Sequence, residues 1–208
     1  GLVAQLTSYA TGALTISTDA SAAQTIRFEA SPTGTLTLGG AESIVLANTV
    51  DLSALTLTGG SYSLTLDTNA SVATTVTQHN NATAITAAGS ETITFTDAGT
   101  ATGNAAVETY VLAAAGGSTF TLGSASQNVT TGANGPDTLN VSSYTATGVF
   151  NTVAADTIQL GAGANISGVQ AEGNAAGTAL DADNLTLDAS AALTATFDTA
   201  GLAFSVTL

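Results

Sequence analysis

The chain of 208 residues has no cysteine, no methionine and no tryptophan, and only 5% of its residues are aromatic. The absence of cysteine excludes disulfides, thiolate metal sites and cysteine nucleophiles together. With so few aromatic residues, the core has to be packed from Leu, Ile, Val and Ala. No apolar run approaches the ~18 residues that a membrane-spanning helix needs, which predicts that the chain does not insert into a membrane.

Basic residues are almost missing. Arg27 is the only Lys or Arg against 15 acidic residues, which gives a formal net charge of −14. Proteins that bind nucleic acids neutralise phosphates with Lys and Arg, so this class of function is excluded. Docking on anionic lipid is disfavoured for the same reason. A single site for trypsin-like proteases suits a protein outside the cell. The opening residues GLVAQL contain no signal peptide and no initiator Met, which indicates a processed product or an excised segment.

One short motif recurs along the chain: a polar or acidic residue, then Thr or Ser, then apolar residues at alternate positions. This alternation predicts strands of four or five residues with the apolar side chains inward and Thr outward. Thr is β-branched and favours strands, so we expect an all-β fold. The copies are QTIRF (24–28), GTLTL (34–38), ESIVL (42–46), ALTL (54–57), SLTL (63–66), ETITF (91–95), ETYVL (108–112), STFTL (118–122), DTLNV (137–141), DTIQL (156–160) and NLTL (184–187).

Two all-β architectures fit this spacing. In a parallel β-solenoid of the β-roll kind, two strands and two turns make a coil of about 18 to 20 residues, and about ten coils stack. In an antiparallel β-sandwich, Gly-Gly pairs form hairpin turns, as in Ser53–Asp67 and Thr35–Leu46. The short, evenly spaced strands favour the solenoid. Either way, residues 1–208 are expected to form a single elongated β domain, with loop insertions near 98–106 and 170–182.

The stretch TGANGPDTLNV (Thr131–Val141) carries a calcium-like pattern. It resembles one repeat of the RTX family, secreted bacterial proteins whose glycine- and aspartate-rich nonapeptides build a β-roll around calcium. Ala133 replaces the second glycine of the family, and no tandem copy follows. The alternative is an Asn-Gly turn whose exit is fixed by Pro136. The matching residues are Gly132, Gly135, Asp137 and Leu139, and the calcium ligands that the resemblance implies are at Asn134, Gly135 and Asp137.

A second candidate for calcium is LDADNLTLD (Leu180–Asp188). The spacing of Asp181 and Asp183 in a turn can bring two carboxylates onto one hard cation. The alternative is a solvated acidic turn, because no glycine-rich loop or bidentate Glu completes a calcium loop. Calcium is the one cofactor that these patterns suggest.

Acidic residues precede several strands at the same phase of the motif. In a solenoid they would lie near one edge, either as a ladder or as points for cations. The simpler interpretation is a polar residue at each strand entry, which is favoured because like charges in register repel each other. These residues are Glu42, Glu91, Glu108, Asp137 and Asp156.

Thr-x-Thr pairs recur on the expected outward side of the strands. On a flat stacked face they would form a regular array of hydroxyl and methyl groups, as in ice-binding solenoids. The pairs do not recur at one constant interval, which speaks against a single flat array. Thr is also simply what a soluble strand exposes when Lys and Glu are scarce. The pairs are Thr35/Thr37, Thr56/Thr58, Thr92/Thr94, Thr119/Thr121 and Thr194/Thr196.

The sequence predicts no enzyme. His79 is the only histidine and lies in the polar stretch TQHNNAT, where we expect an exposed loop residue. No nucleophile elbow, zinc-binding H-E-x-x-H or lysine-containing phosphate loop is present. Asn-x-Ser/Thr sequons, which suggest a glycosylated exported surface, lie at Asn69, Asn81, Asn128, Asn140, Asn165 and Asn184.

The composition as a whole is similar to the Thr-, Ala- and Gly-rich, Lys-poor bodies of bacterial surface-layer proteins and type I-secreted adhesins. That resemblance implies export, assembly at the cell surface and frequently calcium. The expected function is therefore a non-enzymatic extracellular structural protein, a self-assembling subunit of a surface layer, fibre or adhesin shaft. The alternative is an extracellular β module that binds calcium, cell-surface glycan or ice.

The expected partner is the chain itself, as a homo-polymer. A terminal strand is a ready donor for pairing with a neighbouring subunit. The last residues, 194–208, place Phe204, Val206 and Leu208 on one side of an alternating strand, and residues 1–17 offer a second such strand. Alternatively, both segments simply cap their own sheet.

Overall fold

The chain folds as a parallel β-solenoid of about 7 turns, nearly all β with about 4% helix. Every strand pair among the described residues is parallel, which confirms the predicted solenoid and excludes the antiparallel sandwich. The turns are fewer than the ten or so coils expected. A computed structural model describes residues 3–6, 13–47, 49–152, 156–164, 166, 170–171, 184–187 and 205–207.

The chain divides into two compact units, Gly1–Thr96 and Asp97–Leu208, where the sequence predicted a single domain. In the first unit, β1, β3, β4, β5 and β7 form a sheet in that order, β2 also pairs with β4, and β6 pairs with β8. The elements of this unit are β1 (Val3–Leu6), β2 (Leu14–Ser17), β3 (Thr25–Phe28), β4 (Gly34–Leu46), β5 (Leu55–Leu66), β6 (Ser71–Thr74), α1 (Val76–Asn81), β7 (Ala82–Thr86) and β8 (Thr92–Phe95).

The second unit contains two rows of parallel strands. One row runs β10, β12, β14, β16, and the other runs β9, β11, β13, β15, β17, β18. The strands are β9 (Thr100–Thr102), β10 (Thr109–Val111), β11 (Thr119–Thr121), β12 (Asn128–Thr130), β13 (Thr138–Ser142), β14 (Val149–Asn151), β15 (Thr157–Leu160), β16 (Gln170–Ala171), β17 (Asn184–Leu187) and β18 (Ser205–Thr207).

Along β9, β11, β13 and β15 the coil length agrees with the expected 18 to 20 residues, whereas a coil of the first unit is slightly longer. In the second unit Thr119 pairs with Thr100 on one side and with Thr138 on the other, and Thr138 pairs with Thr157. This spacing is the same as that of the hydrogen-bonded residues Ser118 and Asp137, which are 19 residues apart. In the first unit Thr37 pairs with Thr58, and the coil there takes 21 residues. Every copy of the predicted motif forms a strand or part of one.

The core is a stack of side chains from equivalent positions of successive coils. In the second unit, Phe120, Leu139 and Ile158 occupy one such row and are each at most 1% exposed. The Phe120 ring lies 4.7 Å from that of Tyr110, at an angle of 43° between the planes. Each buried side chain of this size contributes roughly 1.5–3 kcal/mol to folding.

The Gly-Gly pairs are corners of the coil and not hairpin turns, so the predicted hairpins are wrong. Strands β4 and β5 each run through their glycine pair and lie parallel, with a shift of register after Leu38. A Cβ atom added at Gly60 would lie 2.1 Å from the carbonyl oxygen of Gly40 in the preceding coil. Glycine is needed there because one backbone stacks directly on another.

The stretch 98–106, where a loop insertion was expected, contains β9, which continues the ladder of β11. The other expected insertion, 170–182, begins with β16, and residues 172–182 lie outside the described part of the chain.

The stacked glycine corner predicts unequal costs for two similar substitutions. Gly60→Ala should lower the free energy of unfolding by about 1–3 kcal/mol, because the new methyl group meets the backbone of the preceding coil. Gly40→Ala should change it by less than about 1 kcal/mol, since the nearest atom to a Cβ there is 3.5 Å away. Urea unfolding followed by circular dichroism measures both. Equal effects of the two substitutions would contradict the stacked corner.

Candidate functional site

Buried carboxylates hold the corners of the coils in the second unit. Asp137 is 1% exposed, and its two oxygens accept the backbone N–H groups of Ser118 at 2.7 Å and of Gly132 at 2.6 Å. Ser118 belongs to the preceding coil and Gly132 to the same coil. The carboxylate therefore ties one coil to the next through charge-assisted hydrogen bonds.

Asp156 repeats this arrangement one coil later. It is 1% exposed, and it accepts the backbone N–H of Asp137 at 2.8 Å and the hydroxyl of Thr131 at 2.5 Å. Asp137 and Asp156 precede Thr138 and Thr157, which pair in the sheet. The two acids thus form a ladder, in which the carboxylate of Asp156 accepts the peptide N–H of Asp137.

Two glutamates of the first unit are also buried. Glu91 accepts the N–H groups of Asn69 at 2.9 Å and of Gly89 at 3.0 Å, one on each oxygen. Glu42 accepts the hydroxyl of Thr18 at 2.7 Å and the N–H of Gly40 at 3.0 Å, both at Oε1, and its Oε2 is buried without a hydrogen-bond partner among the described residues. The fifth acid of the predicted set, Glu108, is only half-buried.

These acids are strand-entry residues, as the simpler interpretation held, but that interpretation missed their burial and their bonds between coils. Repulsion between like charges is offset at Glu91, Asp137 and Asp156, because these carboxylates accept backbone N–H groups. A signal was present in the sequence. Asp137 and Asp156 are separated by 19 residues, which is one coil of this unit.

Two buried glutamines complement the carboxylates, and the sequence analysis missed both. Gln127 donates to the carbonyl oxygens of Asn104 at 2.7 Å and Val107 at 2.9 Å, and accepts the N–H of Gly123 at 2.7 Å. Gln78 donates to two carbonyl oxygens of the first unit, both at 2.8 Å. A carboxamide can both donate and accept, so it suits corners where a carbonyl is left over. No sequence pattern distinguished Gln127 from an exposed glutamine, whereas Gln78 belongs to a capping box with Thr75.

The predicted calcium residues of the nonapeptide are not gathered around one point. Asn134 is exposed and Gly135 half-buried, whereas Asp137 is buried with both oxygens hydrogen-bonded to the backbone. Within the described ranges, no group of three or more His, Asp or Glu side chains is placed to hold a metal ion. Asp181 and Asp183 lie outside the described residues, so calcium binding there stays a prediction.

His79 is not an exposed loop residue, as the sequence analysis expected. It lies on α1, is 5% exposed and packs edge-on against Phe95, with 5.2 Å between the ring centroids. Burial lowers the pKa of His79 below its usual value, and the contact with the side chain of Asn80 opposes this only in part. The prediction failed because α1 is a single short helix without a sustained apolar period. Its capping box, Thr75 with Gln78, was the available signal.

The predicted glycosylation and assembly residues fall in different surroundings. Asn69 and Asn81 are exposed, whereas Asn128 and Asn140 are half-buried and bonded to neighbouring backbone. Asn165, Phe204 and Leu208 lie outside the described residues, and Asn184 and Val206 are described as backbone positions of β17 and β18.

Threonines line the outer side of one sheet of the second unit. Thr119 pairs with Thr100 and Thr138, and Thr121 pairs with Thr102. The residues between them in sequence point inward and are buried. The pairs therefore fall into two rows along the sheet, although they are not evenly spaced over the whole chain.

A cavity of about 240 Å³ in the first unit is lined by Leu57, Tyr62 and Asn81 among others, with no carboxylate or imidazole.

No helix in the described part of the chain is both long and apolar enough to cross a membrane. No model of a protein family, no curated protein and no solved structure matches this chain. Function is therefore inferred from the chemistry of the chain itself.

The carboxylate ladder predicts a stability cost for an isosteric change. Asp137→Asn should lower the free energy of unfolding by about 1–3 kcal/mol, because an amide nitrogen then faces a backbone N–H. Asp19→Asn removes the same charge from an exposed side chain and keeps an Oδ1 that accepts from Ser21, so it should change the free energy by less than about 0.5 kcal/mol. Denaturant titration of the three proteins tests this. A cost for Asp19→Asn as large as that for Asp137→Asn would show that only net charge matters.

The buried histidine predicts a loss of stability in mild acid. Because the folded-state pKa of His79 lies below the unfolded value of about 6.5, the unfolded chain takes up the proton first. Stability is complete above about pH 6.5 and falls as the pH drops towards the folded-state pKa. His79→Gln should flatten this dependence between about pH 7.5 and about pH 5.5, measured by thermal unfolding. An unchanged slope in the variant would assign the effect to other groups.

Proposed function

We propose that the chain is a non-enzymatic extracellular structural protein, a self-assembling subunit of a surface layer, fibre or adhesin shaft. The observation that carries this proposal is the edge position of β18, the last strand of the longest row in the second unit. This strand pairs with β17 through three consecutive residues. Its other edge has no partner strand among the described residues.

An unpaired strand edge is a template for a further strand. It presents a row of N–H and C=O groups that a strand from another copy can satisfy. At the other end of the chain, β1 pairs with β3 and ends its own sheet. Among the described strands, β1 and β18 therefore each cap a sheet and still present an edge.

Parallel pairing between strand edges favours an open-ended assembly. Two different edges of one chain form a heterologous contact, and heterologous contacts produce open filaments or layers unless the rotation closes a ring. A strand added in parallel would also keep the direction shared by all described strand pairs.

The buried groups support a structural role over a catalytic one. The carboxylates of Asp137 and Asp156 are engaged by backbone and hydroxyl donors, and His79 is buried against Phe95. Arg27, the single trypsin-type site, lies within β3 and is followed by Phe28, which is fully buried. Such protection from proteolysis suits the proposed location at the cell surface. Cell-surface glycan and calcium are further proposed partners of this location.

Electron microscopy and sedimentation test the assembly. The wild-type chain should form filaments or sheets as its concentration rises, with or without millimolar calcium. Thr207→Lys should reduce assembly strongly, because charged residues on an edge strand oppose pairing. Thr130→Lys, which adds the same charge on the interior strand β12, should not. A wild-type chain that stays monomeric under all these conditions would contradict the proposal.

A further inference from the structure

One outer surface of the second unit is a regular array of hydroxyl and methyl groups, which we call the threonine face. It consists of the outward positions of four neighbouring strands, β9, β11, β13 and β15. Ala101, Phe120, Leu139 and Ile158 alternate with these positions and are at most 3% exposed, pointing inward. The face contains Thr100, Thr102, Thr119, Thr121, Thr138, Asn140, Thr157 and Gln159.

The face is a two-dimensional lattice. Its strands pair without a shift of register from β9 to Asn140 of β13. Neighbouring strands lie about 4.8 Å apart, and alternate residues of one strand about 6.7 Å apart. The hydroxyls of Thr119, Thr121 and Thr138 have no hydrogen-bond partner in the part of the chain that the structure describes. They are free to bond to water or to a ligand.

Strand propensity does not explain this regularity. Strand propensity acts equally on the other row of strands in the same unit, but the outward positions there are occupied by several residue types. They include Val111 and Val149, and the side chain of Asn128 is bonded to Thr109 and to the backbone of Val149. Within the second unit, threonine in register is thus a property of one row of strands and not of both. In the first unit a shorter array pairs in register, with Thr15, Thr35 and Thr56 in one row.

The threonine face also carries no charge. In the described part of the second unit the acids are Asp97, Glu108, Asp137 and Asp156, and none of them belongs to the face. Asp137 and Asp156 immediately precede face positions, but they are buried. In a chain with a net charge of −14, a neutral face points to a neutral ligand.

The dimensions and chemistry of the face limit what can bind it. The four strands whose side chains are described cover on the order of 200 Å², whereas a stable protein complex buries about 800 Å² per partner. These four strands alone are therefore too small to hold a second copy. Crystalline polysaccharides are bound on exposed aromatic rings, and Phe120 is buried. Minerals and anionic lipids need charged side chains, which the face lacks.

We propose that the threonine face binds ice. The surface of ice is a neutral lattice of groups that both donate and accept hydrogen bonds, as a threonine hydroxyl does. The methyl groups restrict the orientation of first-shell water, and the repeated spacing lets that ordered water join the crystal. Because every patch of an ice surface is equivalent, a small face can adsorb without finding one unique partner site. This activity does not depend on the assembly proposed above.

Ice-affinity partitioning with slowly grown polycrystalline ice tests the proposal. The wild-type chain should be enriched in the ice fraction and should slow the recrystallisation of ice. Thr138→Lys, at the centre of the face, should reduce the enrichment at least about tenfold, because a strongly hydrated charge interrupts the lattice. Thr130→Lys, on the other sheet of the same unit, should leave it unchanged. Thr138→Ser removes only the methyl group and should give an enrichment between those of the wild-type chain and Thr138→Lys. This variant also tests the proposal if Thr138→Lys does not fold.

Three results would overturn the proposal. One is a wild-type chain that is excluded from ice. Another is an equal loss of enrichment in Thr130→Lys and Thr138→Lys. The third is a concentration-dependent dimer, seen by sedimentation, that Thr138→Lys abolishes, since that would assign the face to a second copy. Thr138→Lys lies on the interior strand β13 and should still assemble as the wild-type chain does while losing the ice enrichment, which separates this proposal from the assembly.

Discussion

The parallel stacking of one coil on the next is the constraint on which the rest of this structure depends. Thr138 donates its backbone N–H to the carbonyl oxygen of Ser118 at 2.8 Å, and Thr157 does the same to Asp137, one coil later. Because successive coils in this stretch have the same length, an equivalent position always meets an equivalent position. A residue type that fits at a given position of one coil must therefore also be compatible with the equivalent position of the neighbouring coil.

This constraint separates the polar groups into two kinds of corner. Where backbone N–H groups converge, a carboxylate accepts them, as Asp137 and Asp156 do. Where carbonyl oxygens are left over, a carboxamide donates to them, as Gln127 does. Burying a carboxylate costs several kcal/mol unless donors replace the lost water, and in these corners the backbone itself supplies them. These carboxylates are thus buried in the corners, and part of the surface carries no charge.

The sequence predicted the strands and the class of fold well, because alternation is a local signal that survives in every copy of the motif. It misjudged features that depend on what lies one coil away. Taken alone, the glycine pair at Gly59–Gly60 predicts a hairpin turn. The equivalent pair one coil earlier, Gly39–Gly40, indicates a stacked corner instead. The burial of Asp137 likewise depends on Ser118 in another coil. The burial of His79 depends on α1, which is too short for a periodic pattern.

Stacking also decides which positions are free to serve a function. Inward positions are fixed by packing and corner positions by the polar groups of the backbone, whereas each outward side chain contacts only its neighbours on the same face. A function can therefore be placed on an outward face without disturbing the fold, and association through the strand edges leaves that face open. If copies associate through their edges, one assembly carries several threonine faces. Binding through several linked faces is much stronger than through one, because the later contacts form at a high effective concentration. Assembly would then strengthen the proposed surface binding, although different parts of the coil carry the two.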